Sequence, residues 1–439
     1  MTLLIKNAIV VSSQSQKKAD VLIKHGKIIR VEANIPAEGE TINAEGLYLL
    51  PGAMDPQVHF RDPGMTWKED LESGSRAAAA GGVTSFLDMP NTVPNTITAE
   101  IMAQKKAMAA EKSLVNYNFF IGATPDNVQE LNNTPNVCGI KIFMGASTGS
   151  LLVHRTEDLE KIFSQGRRLI AVHAEDELTI QANKEKIKGS TDVHDHNLVR
   201  TPEAALKATQ LAVSLAKKYQ RRLHILHLTS QEEVEFLAKE KIPGLISVEV
   251  CPQHFLMHAP DIYDRLGTFG QMNPPIREKR HGEALWNALR MGIIDCIATD
   301  HAPHTIEEKE KGFPNSPSGM PGVETSLPLM LNQVNLGLCT IQEVVRWMCE
   351  KPVELYGVVN KGYITPGYDA DLVLIDMQRK KTIENGKLQT KVNWSPYHGL
   401  TTQGWPIMTF VNGHMVYGEG EFFTEYKGRE LQFNPVWEK

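Results

Sequence analysis

The chain has 439 residues, which is more than one hydrophobic core usually supports, so we expect two structural units. Its formal net charge of −6 argues against a nucleic-acid partner, and its 41% hydrophobic and 22% charged residues argue against wholesale disorder. Five scattered cysteines without C-x-x-C spacing favour a reducing compartment, and no apolar run reaches transmembrane length. We therefore expect a cytoplasmic protein with no membrane partner.

Both ends of the chain have the pattern of β structure. The first fifty residues contain V-L-I-K-H-G-K-I-I-R-V, in which H-G-K predicts a hairpin turn, and the last eighty contain T-F-V-N-G-H-M-V-Y with a turn at N-G. Each segment is too small to form a core of its own. We therefore expect residues 1–52 and 360–439 to pack together as one small, composite β-sandwich domain.

The middle of the chain, residues 53–359, predicts an α/β fold of the (β/α)8 TIM-barrel type. Continuous apolar runs alternate there with amphipathic, helix-like stretches, which is the pattern of a parallel sheet covered by helices. Eight such runs favour a closed barrel over an open sheet. The predicted strands are 52–59, 83–88, 116–121, 139–143, 169–173, 223–227, 245–250 and 295–299.

Polar side chains collect where these predicted strands end. In a TIM barrel the carboxyl ends of the strands carry the active site, so these side chains are the candidate functional residues. In chain order they are His59 and Arg61, Asn91, His173, His227, Asn273 at some distance beyond the seventh strand, and Asp300 and His304.

Four of these residues indicate a metal site. His59, His173, His227 and Asp300 each end a different predicted strand, and nitrogen and oxygen ligands that converge on one barrel mouth suit zinc or a similar divalent ion. Taken alone, a histidine at a strand end is more often a hydrogen-bonded loop residue, and an aspartate there is commonly a helix N-cap. The coincidence of four such residues favours the metal.

Lys141 is unusual because it lies among apolar neighbours in the fourth predicted strand. A bare ammonium buried there is costly unless it is paired or chemically altered. Two interpretations stay open. The side chain reaches out to solvent at the strand end, or its deprotonated amine has captured carbon dioxide as a carbamate, whose two oxygens can bridge metal ions.

With these residues in place, the chain resembles the dihydroorotases of the amidohydrolase superfamily over nearly its whole length. Each matching fragment alone is weak to moderate, but the ordered set is highly specific. The fragments are P-G-A-M-D-P-Q-V-H-F-R-D-P-G, A-A-A-A-G-G-V-T-S-F-L-D-M-P-N-T-V-P, G-I-K-I-F-M-G-A-S-T-G, N-P-P-I-R, A-T-D-H-A-P-H, G-M-P-G-V-E-T and W-S-P-Y-H-G.

The resemblance implies roles for individual residues. The metal ligands, for one or two Zn²⁺ ions per chain, would be His59, carbamylated Lys141, His173, His227 and Asp300. The residues that hold the substrate's α-carboxylate would be Arg61, Asn91 and His304, with Asn273 on the pyrimidine ring and Ser318 and Gly319 contacting substrate through their backbone.

The implied reaction is the reversible cyclisation of N-carbamoyl-L-aspartate to L-dihydroorotate in de novo pyrimidine biosynthesis. A metal-activated hydroxide would attack the ring amide, and Asp300 would act as general acid and base. Related enzymes that cleave hydantoins, dihydropyrimidines or allantoin are expected to lack the equivalents of Arg61 and Asn91, because their substrates carry no carboxylate there. Arg61 therefore carries most of the substrate assignment.

The sequence departs from the family pattern at Gln57, where a metal-binding histidine is usual. An amide oxygen is a poorer zinc ligand than imidazole. Three outcomes stay open: Gln57 ligates weakly, water takes the place, or only one metal is held tightly.

Two rival functions follow from that departure. One is a catalytically inactive dihydroorotase-like scaffold that binds aspartate transcarbamoylase, for which a lost ligand is typical. The other is an amidohydrolase for a different cyclic amide, such as a hydantoinase or allantoinase, against which Arg61 and Asn91 argue. A small-molecule substrate is expected in every active case. A homodimer is a further expectation, although no interface can be identified from the sequence.

Overall fold

The computed structural model describes residues 2–147 and 150–434. The strands in that part of the chain are β1 (Thr2–Val11), β2 (Gln16–Lys24), β3 (Lys27–Glu32), β4 (Glu40–Asn43), β5 (Tyr48–Pro51), β6 (Ala53–Val58), β7 (Val83–Asp88), β8 (Asn116–Phe119), β9 (Ile121–Gly122), β10 (Ile140–Phe143), β11 (Ile170–His173), β12 (Leu223–Ile225), β13 (Ile246–Val250), β14 (Cys296–Ile297), β15 (Leu372–Thr382), β16 (Thr401–Val411), β17 (His414–Gly418) and β18 (Glu421–Phe422).

Helices separate most of the central strands. They are α1 (Leu71–Ala80), α2 (Ala99–Lys112), α3 (Val128–Asn133), α4 (Thr156–Phe163), α5 (Glu177–Lys186), α6 (His196–Val199), α7 (Pro202–Tyr219), α8 (Gln231–Glu240), α9 (Pro252–Leu256), α10 (Asp261–Leu266), α11 (Lys279–Arg290), α12 (Ile306–Lys309), α13 (Ser326–Asn335), α14 (Ile341–Val345) and α15 (Lys351–Tyr356), with 3-10 turns at Val193–Asp195 and Gly267–Gly270 and a π-helical turn at Arg346–Glu350. None of the helices in residues 2–147 and 150–434 combines the length and apolarity needed to cross a membrane.

Strands from the two chain ends form one nine-stranded sheet, in the order β18-β17-β16-β15-β5-β1-β2-β3 with β4 beside β1. The ends meet where β5 pairs antiparallel with β15, with Leu50 opposite Val373. Both predicted hairpins are present, and each turns through a residue pair with positive φ, His25-Gly26 and Asn412-Gly413. The predicted limits of this domain, residues 1–52 and 360–439, stay a prediction.

The central strands form the predicted barrel. They run parallel in a six-stranded sheet, β9 to β14, and a three-stranded sheet, β6 to β8, and β8 is followed within two residues by β9. A parallel bridge from Val58 to His301 joins the first strand to the segment after the last, which closes the circle. The fold class, a (β/α)8 barrel with a composite β-sandwich domain, is therefore confirmed.

Relative to their predicted lengths, the sixth and eighth barrel strands fall furthest short. The sixth ends at Ile225 and not at His227, and the eighth contains only Cys296–Ile297. In the sixth strand the physical reason is that His227 adopts a positive φ of 35°, which breaks the extended backbone; a positive φ of 47° at Asp300 follows the eighth strand. The apolar pattern fixed the positions of the strands but did not show where the backbone leaves them.

The alternation of side chains along each strand decides what enters the barrel. Ile140 and Ile142 on β10, and Val172 on β11, belong to the large apolar cluster that includes residues of the surrounding helices. Their neighbours along the strands, Lys141 and His173, therefore point into the barrel interior.

A buried charged network joins the barrel to the sheet of the chain ends. Lys361 Nζ donates to Asp371 at 2.6 Å, to Asp369 at 3.1 Å and to the Asn412 side chain at 3.2 Å. The Asp371 carboxylate also accepts from the side chain of Asn116 on β8, at 3.0 Å, and from the backbone of Asn412. One carboxylate thus receives donors from both structural units.

We expect Lys361→Met to lower the free energy of unfolding by about 3 kcal/mol or more, because it leaves the buried Asp371 carboxylate without its counter-charge. Urea denaturation checks this. The matched control is Lys18→Met, which removes an exposed ion pair with Glu45 and should cost less than about 1 kcal/mol. Equal losses for the two variants would contradict the prediction.

Candidate active site

A small cavity of about 20 Å³ lies at the carboxyl ends of the barrel strands. Ten of the eleven residues predicted to form the site line this cavity, and the eleventh, His304, contacts Arg61 and Ser318 directly. A second cavity of about 510 Å³ adjoins it and shares the wall residues Ser147, Asn273 and Ser318. The inner cavity lining from the predicted set is His59, Arg61, Asn91, Lys141, His173, His227, Asn273, Asp300, Ser318 and Gly319.

His59 and Asp300 stand at the centre of this cavity. His59 Nε2 lies 3.0 Å from Asp300 Oδ1, and its Nδ1 lies 2.8 Å from the amide oxygen of Asn91. Burial acts to raise the pKa of Asp300, but the hydrogen bond from His59 and the charges of His59, His227 and Lys141 outweigh it and hold that pKa at about 2. Asp300 is therefore a carboxylate at neutral pH.

Gln57 also contacts Asp300. Its amide nitrogen donates to Asp300 Oδ1 at 3.0 Å, whereas its amide oxygen is buried and accepts no hydrogen bond from any residue that the structure describes. The carboxylate makes this orientation chemically necessary, because an amide oxygen in place of the nitrogen would face a second acceptor.

Three of the cavity residues hold their backbone in the left-handed region, Arg61 at φ 61°, His227 at 35° and Asp300 at 47°. Such a conformation costs of order 1 to 3 kcal/mol in a residue other than glycine and persists only where the surroundings impose it. In each case the residue follows the end of a barrel strand, so the bend redirects its side chain towards the cavity.

His173 and His227 form a second pair of potential ligands. His173 Nδ1 lies 3.1 Å from His227 Nε2, and His173 Nε2 lies 2.8 Å from Glu175. Burial acts to raise the pKa of Glu175, but the charge of Arg200 and the hydrogen bond from His173 hold it at about 2. An ionised Glu175 only accepts, so the proton of neutral His173 sits on Nε2 and the lone pair of Nδ1 faces His227.

Lys141 is buried without a partner. Its Nζ makes no hydrogen bond with any described residue, its side chain is 1% exposed, and the amine lies 4.4 Å from the centre of the Phe143 ring. Burial lowers the pKa of Lys141 to about 7, against the opposing charges of Asp300 and Glu249. A share of the amine is therefore neutral at pH 7. The side chain is buried and does not reach solvent, so the snorkelling interpretation of Lys141 is wrong.

Arg61 lies on the opposite wall of the cavity with His304. The Arg61 side chain donates to the Pro303 carbonyl at 3.3 Å, and Lys68 donates to His304 Nδ1 at 3.1 Å. His304 is neutral because burial lowers its pKa well below the ordinary value, so its proton sits on Nε2 and is donated to the Ser318 carbonyl at 3.1 Å. The nearby Arg61 nitrogen therefore finds no acceptor on His304.

The loop that carries Ser318 and Gly319 is held close to this wall. The Gly319 backbone donates to the Gln271 carbonyl at 2.9 Å, and its φ of 144° brings it so near Ala302 that an added Cβ would lie 2.4 Å from the Ala302 carbonyl oxygen. Only glycine fits there. Asn273 lines both cavities, and its side-chain oxygen is buried with no hydrogen bond from the described residues.

Some residues of the site were missed by sequence reasoning. Glu175 stands two positions after His173 in H-A-E-D, just beyond the end of β11, and its closeness in sequence to a candidate ligand is a usable signal. Arg200, which forms an ion pair with Glu175, and Lys68 come from distant loops, and no pattern of spacing marks them. Ser147 also lines the cavity and was not predicted.

Comparison with known proteins places this geometry in a family. The model of the amidohydrolase family matches residues 48–416. The chain belongs to the amidohydrolase family. A dihydroorotase from Methanosarcina acetivorans is 35% identical, covering 95% of this chain and 94% of its own length, and an allantoinase from Streptomyces avermitilis is 33% identical, covering 99% of each chain. The solved structure of an L-hydantoinase (dihydropyrimidinase) from Arthrobacter aurescens is 31% identical, with a TM-score of 0.94 over 98% of this chain and 99% of its own.

The residues present fit a divalent metal of the kind that this family typically uses. Neutral His59 has one proton for two acceptors, the Asn91 amide oxygen at Nδ1 and the Asp300 carboxylate at Nε2, and the Nδ1 lone pair of His173 faces His227. Acceptor atoms that converge in this way repel one another unless a cation or a proton lies between them. The Lys141 amine without a partner completes the donor set.

We expect Glu175→Gln to lower the free energy of unfolding of the metal-stripped protein by about 3 kcal/mol at pH 7, the value that corresponds to a carboxyl pKa lowered from 4.5 to about 2. Because the folded-state pKa is depressed, this stabilisation is complete above pH 4.5 and declines as the pH falls towards 2. The gap between variant and wild type should therefore narrow in urea denaturation as the pH is lowered.

The control for that comparison is Glu185→Gln, which changes an exposed carboxylate on α5, the helix that follows Glu175. It should alter the free energy of unfolding by no more than about 0.5 kcal/mol. A gap for Glu175→Gln that is the same at pH 3 and pH 7 would show that the carboxylate charge is not the stabilising feature.

Proposed function

We propose that the protein is a dihydroorotase, which catalyses the reversible cyclisation of N-carbamoyl-L-aspartate to L-dihydroorotate. The observation that carries this proposal is the state of Arg61. Its guanidinium is 2% exposed, and none of the described carboxylates forms an ion pair with it. A buried arginine of this kind, on the wall of a cavity that suits a metal, calls for an anionic group on the substrate.

The surroundings of Arg61 favour a carboxylate in one orientation. Burial lowers the pKa of Arg61 to about 10, so the group stays a cation at neutral pH. Its planar fork suits the two oxygens of a carboxylate, His304 lies beside it, and Asn91 lines the same cavity. Dihydroorotate carries a carboxylate on its ring, whereas hydantoins and allantoin do not carry one at that place. The Methanosarcina relative named as a dihydroorotase supports the same choice.

For the metal we propose Zn²⁺ held by His173, His227 and a carbamate on Lys141, with His59 and Asp300 beside it. The pKa of Lys141, near 7, supports the carbamate, because only a neutral amine attacks carbon dioxide. In that reaction the amine nitrogen bonds to the carbon of carbon dioxide and releases one proton. When bound, the metal supplies a Lewis acid that lowers the pKa of water and polarises the ring carbonyl.

The residues of the chain then perform the remaining steps. In the hydrolytic direction Asp300, ionised and pointing into the cavity, takes the proton from the attacking water. The bond between the ring amide carbon and its nitrogen breaks, and Asp300 delivers the proton to that nitrogen. Arg61, Asn91 and His304 hold the carboxylate so that the amide carbon faces the water, and the Asn273 side-chain oxygen is available to a ring N–H.

We infer that Gln57 acts on Asp300 and is not a metal ligand. Its amide nitrogen already donates to Asp300 Oδ1 at 3.0 Å. Its amide oxygen, the atom that could bind a metal, therefore points away from the carboxylate. This favours one tightly held metal at the position of Lys141, His173 and His227. It also explains how the site keeps Asp300 aligned without a second strand-end histidine.

The partners and compartment remain proposals. Five free, buried cysteines suit a reducing compartment, which supports a cytoplasmic enzyme. We propose a homodimer, to be checked by light scattering of the purified chain. Association with aspartate transcarbamoylase is the hallmark of the rival function, an inactive scaffold, and gel filtration of the two proteins together tests it.

The decisive experiment is a substrate comparison on the purified, zinc-supplied chain. We expect turnover of dihydroorotate, followed by ultraviolet absorbance, well above turnover of dihydrouracil, hydantoin and allantoin. Faster hydrolysis of allantoin or hydantoin would favour the other amidohydrolase activities. Absence of turnover in a chain shown to contain metal would favour the scaffold.

We expect Arg61→Met to lower kcat/KM for dihydroorotate by at least 10-fold, because about 1.5 to 3 kcal/mol of charge-assisted hydrogen bonding is lost. Activity on dihydrouracil, which lacks the carboxylate, should not fall. Arg155→Met, on an exposed arginine paired with Asp158, is the matched control and should leave both activities unchanged. A parallel loss on both substrates would contradict the assigned role.

We expect metal counting to separate Lys141 from Gln57. Lys141→Ala should lower the metal content per chain, because it removes the carbamate donor, and Gln57→His should raise it, because a second strand-end imidazole replaces an amide that does not ligate. Elemental analysis of matched preparations measures both. Unchanged metal in Lys141→Ala would refute the carbamate, and unchanged metal in Gln57→His would refute the proposed role of Gln57.

A further inference from the structure

A second group of metal-ligand side chains lies deeper in the barrel, outside the proposed active site. His224 on β12, Glu249 on β13 and Cys296 on β14 each offer one ligand atom, and these atoms all lie within 4.8 Å of one another. The three strands are neighbours in the sheet, and the register places Glu249 directly opposite Cys296. All three side chains are fully buried.

The pleat of the strands turns these side chains away from the helices. Ile225, Val248 and Ile297, each next to one of the three in sequence, belong to the apolar cluster that includes the surrounding helices. Residues that alternate with them face the barrel interior. His224, Glu249 and Cys296 therefore form one group in the barrel interior.

The hydrogen bonds of the group leave one of its polar atoms, a carboxylate oxygen of Glu249, without a partner among the described residues. His224 binds Ser247 Oγ through Nδ1 at 2.8 Å and faces Glu249 Oε2 through Nε2 at 3.0 Å. The other oxygen of Glu249 is buried and receives no hydrogen bond from the described residues. A carboxylate that is cut off from water with one oxygen without a partner is costly, and such groups need an explanation.

A fourth polar side chain, that of Tyr356, lies next to His224. Tyr356 ends α15, its ring lies 5.6 Å from the ring of His224, and its buried hydroxyl makes no hydrogen bond within the described part of the chain. Burial, together with the charges of Glu249, Cys138 and Cys296, raises the pKa of that hydroxyl well above its ordinary value. The hydroxyl and the carboxylate oxygen thus both lack a partner in one enclosed region.

We propose that His224, Glu249 and Cys296 bind a structural zinc ion, with the Tyr356 hydroxyl at the fourth position, directly or through a water molecule. Imidazole, carboxylate and thiolate are all established zinc ligands, and the thiolate selects against the hard cations Mg²⁺ and Ca²⁺. One thiolate, one carboxylate and a neutral imidazole neutralise the two charges of the ion, so the assembled group is neutral in the dry interior. Binding releases the thiol proton to solvent.

This site is independent of the proposed function. It shares no ligand with the set of His59, Lys141, His173, His227 and Asp300, and the part of the cavity lining that the structure describes contains no cysteine. Sulfur in the coordination shell of a bound metal therefore identifies the interior group. Full burial also predicts slow exchange, because an ion can leave only when the barrel opens.

The first test is metal analysis of the full-length chain before and after treatment with a chelator. We expect the catalytic metal and the activity to be lost first, while one zinc per chain remains. X-ray absorption of that zinc-retaining protein should then show one sulfur in the zinc shell. Loss of all metal together with the activity, or a retained zinc without sulfur, would overturn the proposal.

The second test uses cobalt in place of zinc, by expression in cobalt-supplemented medium. We expect a near-ultraviolet thiolate-to-cobalt band in the wild type and in Cys138→Ser, a matched buried cysteine outside the ligand set, but not in Cys296→Ser. A band that persists in Cys296→Ser, or is absent from the wild type, would overturn the proposal. If Cys296→Ser does not fold, the sulfur measurement on the wild type decides alone.

Discussion

Lys141, Asp300 and Glu175 are all removed from water by the barrel, and each needs a compensating charge within hydrogen-bonding reach. Glu175 obtains that compensation from Arg200 and His173, and Asp300 from His59 and Gln57. Lys141 has no hydrogen-bond partner among the described residues, and burial lowers its pKa to about 7 although the charges of Asp300 and Glu249 oppose this. The electrostatics of the site follow from this difference in hydrogen bonding, because Lys141, the group without a hydrogen-bond partner, is the one whose charge state must change.

The backbone conformation explains how side chains at the strand ends reach the cavity. Extended strands can point side chains only into the interior or out to the helices, whereas the substrate and metal must be approached from the mouth of the barrel. Positive φ at Arg61, His227 and Asp300 provides the additional direction. All three strained residues line the cavity, and a hydrogen bond from Lys68 to His304 lies next to Arg61.

Much of the fold could be predicted from the sequence because strand positions follow from apolar runs, and strand ends in a barrel converge whatever the loops do. That reasoning predicted that His59, His173, His227 and Asp300 lie together, and all four line one cavity. It could not find Arg200 or Lys68, which reach the site from loops whose path depends on tertiary packing. It also could not show how Gln57 is oriented, because an amide reads the same in the sequence whichever end faces the carboxylate. The roles assigned to the individual site residues stay predictions.

The replacement of histidine by Gln57 has an electrostatic meaning beyond the loss of a ligand. A neutral histidine at that position could present a ring nitrogen to a metal, whereas the amide of Gln57 uses its nitrogen to donate a hydrogen bond to the Asp300 carboxylate and has only an amide oxygen left as a ligand atom. The second metal position is thereby made unnecessary for holding Asp300. The amide adds no positive charge, and the pKa of Asp300, which burial acts to raise, is held at about 2 by His59, His227 and Lys141. On the proposed assignment, Gln57 thus keeps the proposed base aligned in a site that holds one metal tightly.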